Sequence, residues 1–198
     1  MKHHPVCTAL LLLLLLTGCG LMDRNIGPPT SASPPTLPTV VPGTVSLADQ
    51  FGQLVDERDD LPYDALLLDT LSVHMLGAVD LANQAIRRTS DPVLLELAEE
   101  IVAIQQRNVA RLQQWRRTWY PDLGVTPAID LSIDTGGLVA VDNDAFDAAF
   151  EVTMLAYLEQ GRLIAEDGRQ QATRPELRDM AAELLTDYEQ QIAQLQRR

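Results

Sequence analysis

Lysine is nearly absent from this chain. The only one among 198 residues is Lys2, and 15 basic residues face 28 acidic ones for a net charge of −13. Nucleic-acid binding rests on Lys and Arg contacts to phosphate, so that balance argues against it. Cysteine is equally scarce. Cys7 and Cys19 are the only two, and both lie in the first nineteen residues. From residue 20 onward there is no thiol for a disulfide, a thiolate metal site or a cysteine nucleophile. Of three histidines, only His74 lies beyond residue 4. Di-iron chemistry in helical bundles needs core Glu residues and two Glu-x-x-His motifs. Here one His remains, and Leu71 stands where the Glu would be. No Gly-rich phosphate loop is present either. These absences predict a protein that is not an enzyme.

What is present begins with a targeting pattern. A short start carrying Lys2 precedes seven consecutive Leu, Leu10–Leu16, a run too short for a transmembrane helix of about 20 apolar residues. Charged start, short apolar run and small residues before a cut describe a secretory signal over residues 1–18. Leu16-Thr17-Gly18-Cys19 resembles the lipobox of bacterial lipoproteins. That resemblance implies that Cys19 becomes the first mature residue and carries lipid, placing the protein outside the cytoplasm on a bacterial membrane. Two or more acyl chains anchor stably, each buried CH2 contributing about 0.8 kcal/mol. Residues 19–47 then include Pro28, Pro29, Pro34, Pro35, Pro38 and Pro42 among Thr, Ser and Gly. Such a stretch reads as an extended tether, leaving 48–198 as the folded domain, with a short lead-in helix at about 46–60.

That domain is a duplication. Residues 63–115 and 146–198 align without a gap at an offset of 83, with eleven identities, among them Asp64/Asp147, Ala82/Ala165, Pro92/Pro175 and Glu100/Glu183. In the first copy Leu67, Leu71, His74, Ala78, Leu81 and Ala85, then Leu94, Leu97, Ile101, Gln105, Asn108, Leu112 and Trp115, recur at steps of three and four, and the second copy repeats this with Phe150, Met154, Tyr157, Gly161 and Ile164, then Leu177, Ala181, Leu184, Tyr188, Gln191 and Leu195. That period predicts amphipathic helices. Asp91-Pro92 places a capping acid before a first-turn Pro, and Thr173-Arg174-Pro175-Glu176 fits a capping box. Each copy is therefore a helical hairpin turning near 89–90 or 172–173. A Gly- and Asp-rich connection over about 120–142 joins them. Asp142, Asp144 and Asp147 do not fit a calcium loop and are expected to cap a helix. One hairpin leaves its apolar face uncovered and two cover each other, so the expectation is an all-α, ferritin-like four-helix bundle.

Six polar residues sit on the apolar stripes: His74, Gln105, Asn108, Tyr157, Tyr188 and Gln191. His74 lies about 15 residues before its turn and Gln105 about 16 after it, which at about 1.5 Å per residue puts them at one height. Tyr157 and Tyr188 are related in the same way. The six should meet in one layer near mid-bundle, either paired with each other or holding a ligand. The copies agree where helices pack and disagree here, since His74 aligns with Tyr157.

LLDTLSVHMLGAVDLA (Leu67–Ala82) and LAEEIVAIQQRNVARLQQW (Leu97–Trp115) resemble the signature of the domain of unknown function 305 family. That family is described as ferritin-like bundles in extracytoplasmic bacterial proteins, some of which bind copper or silver. The resemblance implies a bundle associated with a copper or silver ion. His74 matches the first His of the family pair, and Gln105 matches its Gln. Met75 replaces the second His, Asn108 replaces Glu, and Leu71, Leu81 and Leu112 stand at Met positions. In the second copy Tyr157 and Leu158 replace the His pair, Met154 keeps one Met, and Tyr188 and Gln191 replace Gln and Glu. The metal candidates are thus His74, Met75 and Met154, soft donors suited to Cu(I) or Ag(I). The alternative is no cofactor at all: a structural or interaction module of the cell envelope. Trp119 and Tyr120 would then belong to a partner or homodimer surface, or else cover the bundle end.

Overall fold

The structure is a computed structural model that describes residues 47–58, 60–124 and 136–198. The signal, the lipidated Cys19 and the Pro-rich tether expected from the sequence lie outside these residues. Six helices occur among those described: α1 (Leu47–Glu57), α2 (Tyr63–Arg88), α3 (Pro92–Trp119), the single turn α4 (Gly136–Val139), α5 (Asn143–Gln171) and α6 (Pro175–Gln196). With no strand among them, the fold is all-α. The lead-in helix forms as α1, and the four long helices begin and end within a few residues of the predicted turns.

The local chemistry accounts for these boundaries. Asp91 caps α3, its carboxylate accepting from the backbone N–H groups of Val93 and Leu94 at 2.8 and 3.2 Å, with Pro92 in the first turn where no N–H is needed. Arg87 and Arg88 close the last turn of α2, where positive charge complements the carbonyl end of the helix.

The cap expected at α6 differs. Thr173 does not close a box with Glu176; Arg174 is the N-cap, with no side-chain cap bond of its own. The carboxylate comes instead from α2. Buried Asp64 accepts from the Thr173 hydroxyl at 2.7 Å and from the N–H groups of Thr173 and Arg174 at 2.8 and 3.0 Å. This long-range acid takes the Thr173 N–H that Glu176 would bond in a capping box, and it ties one hairpin to the other. At α5, Asp142 occupies the N-cap position but makes no side-chain cap bond, so the expected capping role is met in position only.

The hairpins α2–α3 and α5–α6 pack through α2 against α5, which run antiparallel. Tyr63 donates to Asp167 at one end, and Arg88 reaches Asn143 at the other. The core holds Leu67, Leu71, Leu94, Ile101 and Leu112 of the first hairpin and Phe150, Met154, Leu177, Leu184 and Leu195 of the second. Each such side chain contributes about 1.5–3 kcal/mol on burial. Leu66 and Leu68 lie off the predicted stripe yet are also buried, as is Phe51 of α1; Phe51 meets Tyr63 edge-on at 5.9 Å. Helix α2 is long and apolar enough to cross a membrane, but 67% of its most apolar stretch is buried inside the protein. Trp119 and Tyr120 are half-buried against the core and stack with Arg174, whose guanidinium lies 4.3 Å from the Trp119 ring. They cover the bundle end, as one of the two expectations had it.

Candidate functional site

The six striped polar residues are all buried. Where α2 crosses α5, the imidazole of His74 stacks on the ring of Tyr157, with centroids 4.3 Å apart and planes inclined by 24°. Tyr188 of α6 meets the same imidazole edge-on at 6.1 Å. Gln105 of α3 lies against the Tyr188 hydroxyl and eases its ionisation, though the pair falls short of strict hydrogen-bond geometry. Asn108 and Gln191 stand about one turn further along their helices, three residues from Gln105 and Tyr188.

The His74/Tyr157 pair is reciprocal. Nε2 of His74 lies 3.0 Å from the backbone carbonyl oxygen of Tyr157, and the Tyr157 hydroxyl donates to the carbonyl of His74 at 2.9 Å. The two residues are equivalent positions of the duplication, so the approximate two-fold axis relating the hairpins passes between them. Each side chain bonds the backbone of its counterpart. Because a carbonyl only accepts, Nε2 must carry the imidazole proton, which leaves Nδ1 with a bare lone pair.

Burial sets the electrostatics. Desolvation pulls His74 down from its ordinary 6.5 to about 4, only partly opposed by its bond to the Tyr157 carbonyl, so the imidazole is neutral at physiological pH. Burial also pushes the hydroxyls of Tyr157 and Tyr188 well above their ordinary value, and both stay protonated. The layer is electrically neutral and built from amides, phenols and one imidazole.

Two glycines make these approaches possible. A Cβ on Gly161 would stand 2.5 Å from His74 Cε1 and 2.7 Å from Tyr188 Cζ. On Gly77 it would overlap the Tyr157 hydroxyl at 1.9 Å. The stripe pattern places Gly161 on the core face, but its role shows only once the rings are seen against it. Asp69 and Arg116 also escaped the sequence reading. They form a part-buried ion pair at 2.9 Å, and the guanidinium also donates to the carbonyls of Tyr120 and Gly124, clasping the chain beyond α3. A lone acid on α2 and a lone base on α3 carry no sequence signal that they meet.

Met75 and Met154 are fully buried in the apolar core. Met75 follows His74 directly and so points about 100° away around the helix. Among the described residues no three His, Cys, Asp or Glu side chains form a group able to hold a metal ion. The layer instead gathers amide and phenol oxygens, hard donors that suit a soft cation poorly, around a single free imidazole nitrogen.

These features define a class: an all-α bundle of two duplicated antiparallel hairpins with a neutral polar layer buried on their approximate two-fold axis. The chain belongs to the family described as Domain of unknown function (DUF4142), which it matches over residues 58–197. The fold is similar to solved structures of CopM. Against the Cu(I)-bound form the TM-score is 0.62 at 23% identity, covering 69% of this chain and 95% of that one. Against the form soaked with Ag it is 0.60 at 23% identity, covering 68% and 92%. The apo form gives 0.59 at 24% identity, covering 68% and 93%. At these identities the likeness is one of fold. None of the curated proteins compared matches the sequence.

Proposed function

We propose that this chain is a non-catalytic, lipid-anchored bundle of the bacterial cell envelope, related to copper- and silver-binding bundles but with its own core turned over to a structural layer. The single observation that carries this reading is the reciprocal His74/Tyr157 pair. It commits Nε2 of the only histidine in the bundle to the opposite helix and packs the imidazole against a phenol ring, so that Nδ1 is the single ring nitrogen left to meet a cation. The hard oxygen donors around it and the seating of Met75 and Met154 in the apolar core support the same conclusion. The copper connection rests on the fold shared with CopM and on the Leu67–Ala82 and Leu97–Trp115 segments that resemble the domain of unknown function 305 family. The anchor rests on Leu16-Thr17-Gly18-Cys19, and it makes the membrane the first partner. The acidic charge argues against nucleic acid. A protein partner in the envelope or a second copy of the chain would be a further partner, and cross-linking of the full chain tests for either.

Calorimetry with Cu(I) under reducing conditions, on wild type and His74→Ala, tests the reading. Absent binding, or weak binding equal in both proteins, is expected. Tight binding lost in His74→Ala would overturn it in favour of a second reading: a one-imidazole Cu(I) or Ag(I) site using the unpartnered Nδ1 with Met75 or Met154. Mass spectrometry of the mature N-terminus tests the anchor, and an unmodified Cys19 would remove it.

A further inference from the structure

Six of the buried polar atoms in the central layer have no hydrogen-bond partner among the described residues: His74 Nδ1, the Tyr188 hydroxyl, and both amide atoms of Gln105 and of Gln191. Buried polar groups in folded proteins are nearly always satisfied, so so many orphans in one layer point to something that satisfies them. We propose that the bundle centre is a binding site for a small cluster of ordered water molecules, held between α2, α3 and α6 by His74, Gln105, Tyr188 and Gln191.

The donor–acceptor count selects the ligand. Nδ1 of His74 is a pure acceptor, because Nε2 carries the proton that bonds the Tyr157 carbonyl. Each Gln adds one acceptor oxygen and one amide NH2, and the Tyr188 hydroxyl works either way. The site therefore offers three lone-pair positions, two NH2 donors and one adaptable hydroxyl. An anion would face the lone pairs. A dehydrated cation would use the oxygens and Nδ1 but strand the NH2 groups in an apolar core. A neutral molecule that both gives and takes hydrogen bonds satisfies all of them, and buried waters typically bridge about three such groups each.

The placement agrees with the count. Tyr188 lies edge-on to the imidazole at 6.1 Å, Gln105 lies against the Tyr188 hydroxyl, and Gln191 follows Tyr188 by three residues, a same-face neighbour on a helix. Gln105, His74 and Tyr188 are fully buried and Gln191 almost so, which makes exchange with bulk solvent slow. Tyr157, the counterpart of His74, spends its hydroxyl on the His74 carbonyl and stands outside the cluster. The site is thus lopsided about the two-fold axis.

A high-resolution crystal structure of the purified protein is the direct test. Density peaks at hydrogen-bond distance from His74 Nδ1 and from the two Gln amides, with no anomalous signal, are expected. A dry layer in which the amides bond each other and the imidazole would overturn the proposal, as would a metal peak on Nδ1. In solution, oxygen-17 relaxation dispersion should show a long-lived water contribution that falls in Gln105→Leu/Gln191→Leu, with circular dichroism confirming that the variant is folded. An unchanged contribution in a folded variant would equally overturn it, and if the variant does not fold the crystal result stands alone as the decision.

Discussion

The two hairpins follow one sequence pattern at an offset of 83, yet their equivalent residues do different work. Asp64 and Asp147 are identical positions, but Asp64 caps the opposite hairpin through three hydrogen bonds, while Asp147 makes none among the described residues. Asp69 anchors Arg116 in a part-buried pair; its counterpart is Val152. Ala78 is matched by Gly161, and only Gly161 receives two rings against its backbone. At the axis, His74 faces its own counterpart, Tyr157. A duplicated scaffold keeps its apolar spacing because both copies need it to cover each other. The polar positions are free to diverge as long as each buried group still finds a partner.

Four measurements would break or sharpen this contrast. The largest effect is expected at the identical pair. Asp64→Ala removes three hydrogen bonds from a buried carboxylate to the part-buried start of α6 and should cost about 4 kcal/mol in urea unfolding, whereas Asp147→Ala should fall within about 0.5 kcal/mol of wild type. Equal losses would mean that the hairpins are capped alike.

Acid comes next. The unfolded chain takes up a proton on His74 near 6.5, the folded one only near 4, so the unfolded state binds more protons in between. The contribution of neutral His74 is complete above about pH 6.5 and is lost as pH falls toward 4, by roughly 3 kcal/mol. The loss should shrink in His74→Gln and persist in Tyr157→Phe. A pH dependence identical in all three proteins would show that the two counterparts do not differ in this respect.

Gly161→Ala places a methyl against His74 and Tyr188 and should cost about 2 kcal/mol by overpacking. The reverse change at its counterpart, Ala78→Gly, should cost about 1.5 kcal/mol through helix propensity and the loss of a buried methyl. Smallest is Tyr157→Phe. It removes one bond to the His74 carbonyl while keeping the ring stack, for about 1 kcal/mol in thermal unfolding. A much larger loss would mean that the hydroxyl serves the layer beyond that bond.

The period of three and four made the helices legible, and the offset of 83 made the bundle legible, because both depend on burying an apolar stripe that is written locally. The heights of His74, Gln105, Tyr157 and Tyr188 followed from a fixed rise per residue. The Asp91 cap was readable because donor and acceptor are neighbours in the chain. The cap on α6 was not, since its carboxylate comes from Asp64, and Asp69 with Arg116 was hidden for the same reason. Leu66, Leu68 and Phe51 were misjudged or missed because an amphipathic pattern describes one covered face, and α2 is covered on more than one. The resemblance to the domain of unknown function 305 family pointed toward a copper-associated bundle fold, but the family that matches over residues 58–197 is DUF4142.

The sequence by itself determined that this protein is two copies of a helical hairpin with a few polar residues at one level of its core. Periodicity and rise per residue are properties of the backbone and need no knowledge of the partner helix. Tertiary structure decided what those polar residues do. Only the crossing of α2 and α5 brings His74 onto the carbonyl of its own counterpart, assigns the imidazole proton to Nε2, and leaves Nδ1 as the free ring nitrogen. A hydrogen bond depends on a few tenths of an ångström between groups 83 residues apart, and no local pattern carries that distance.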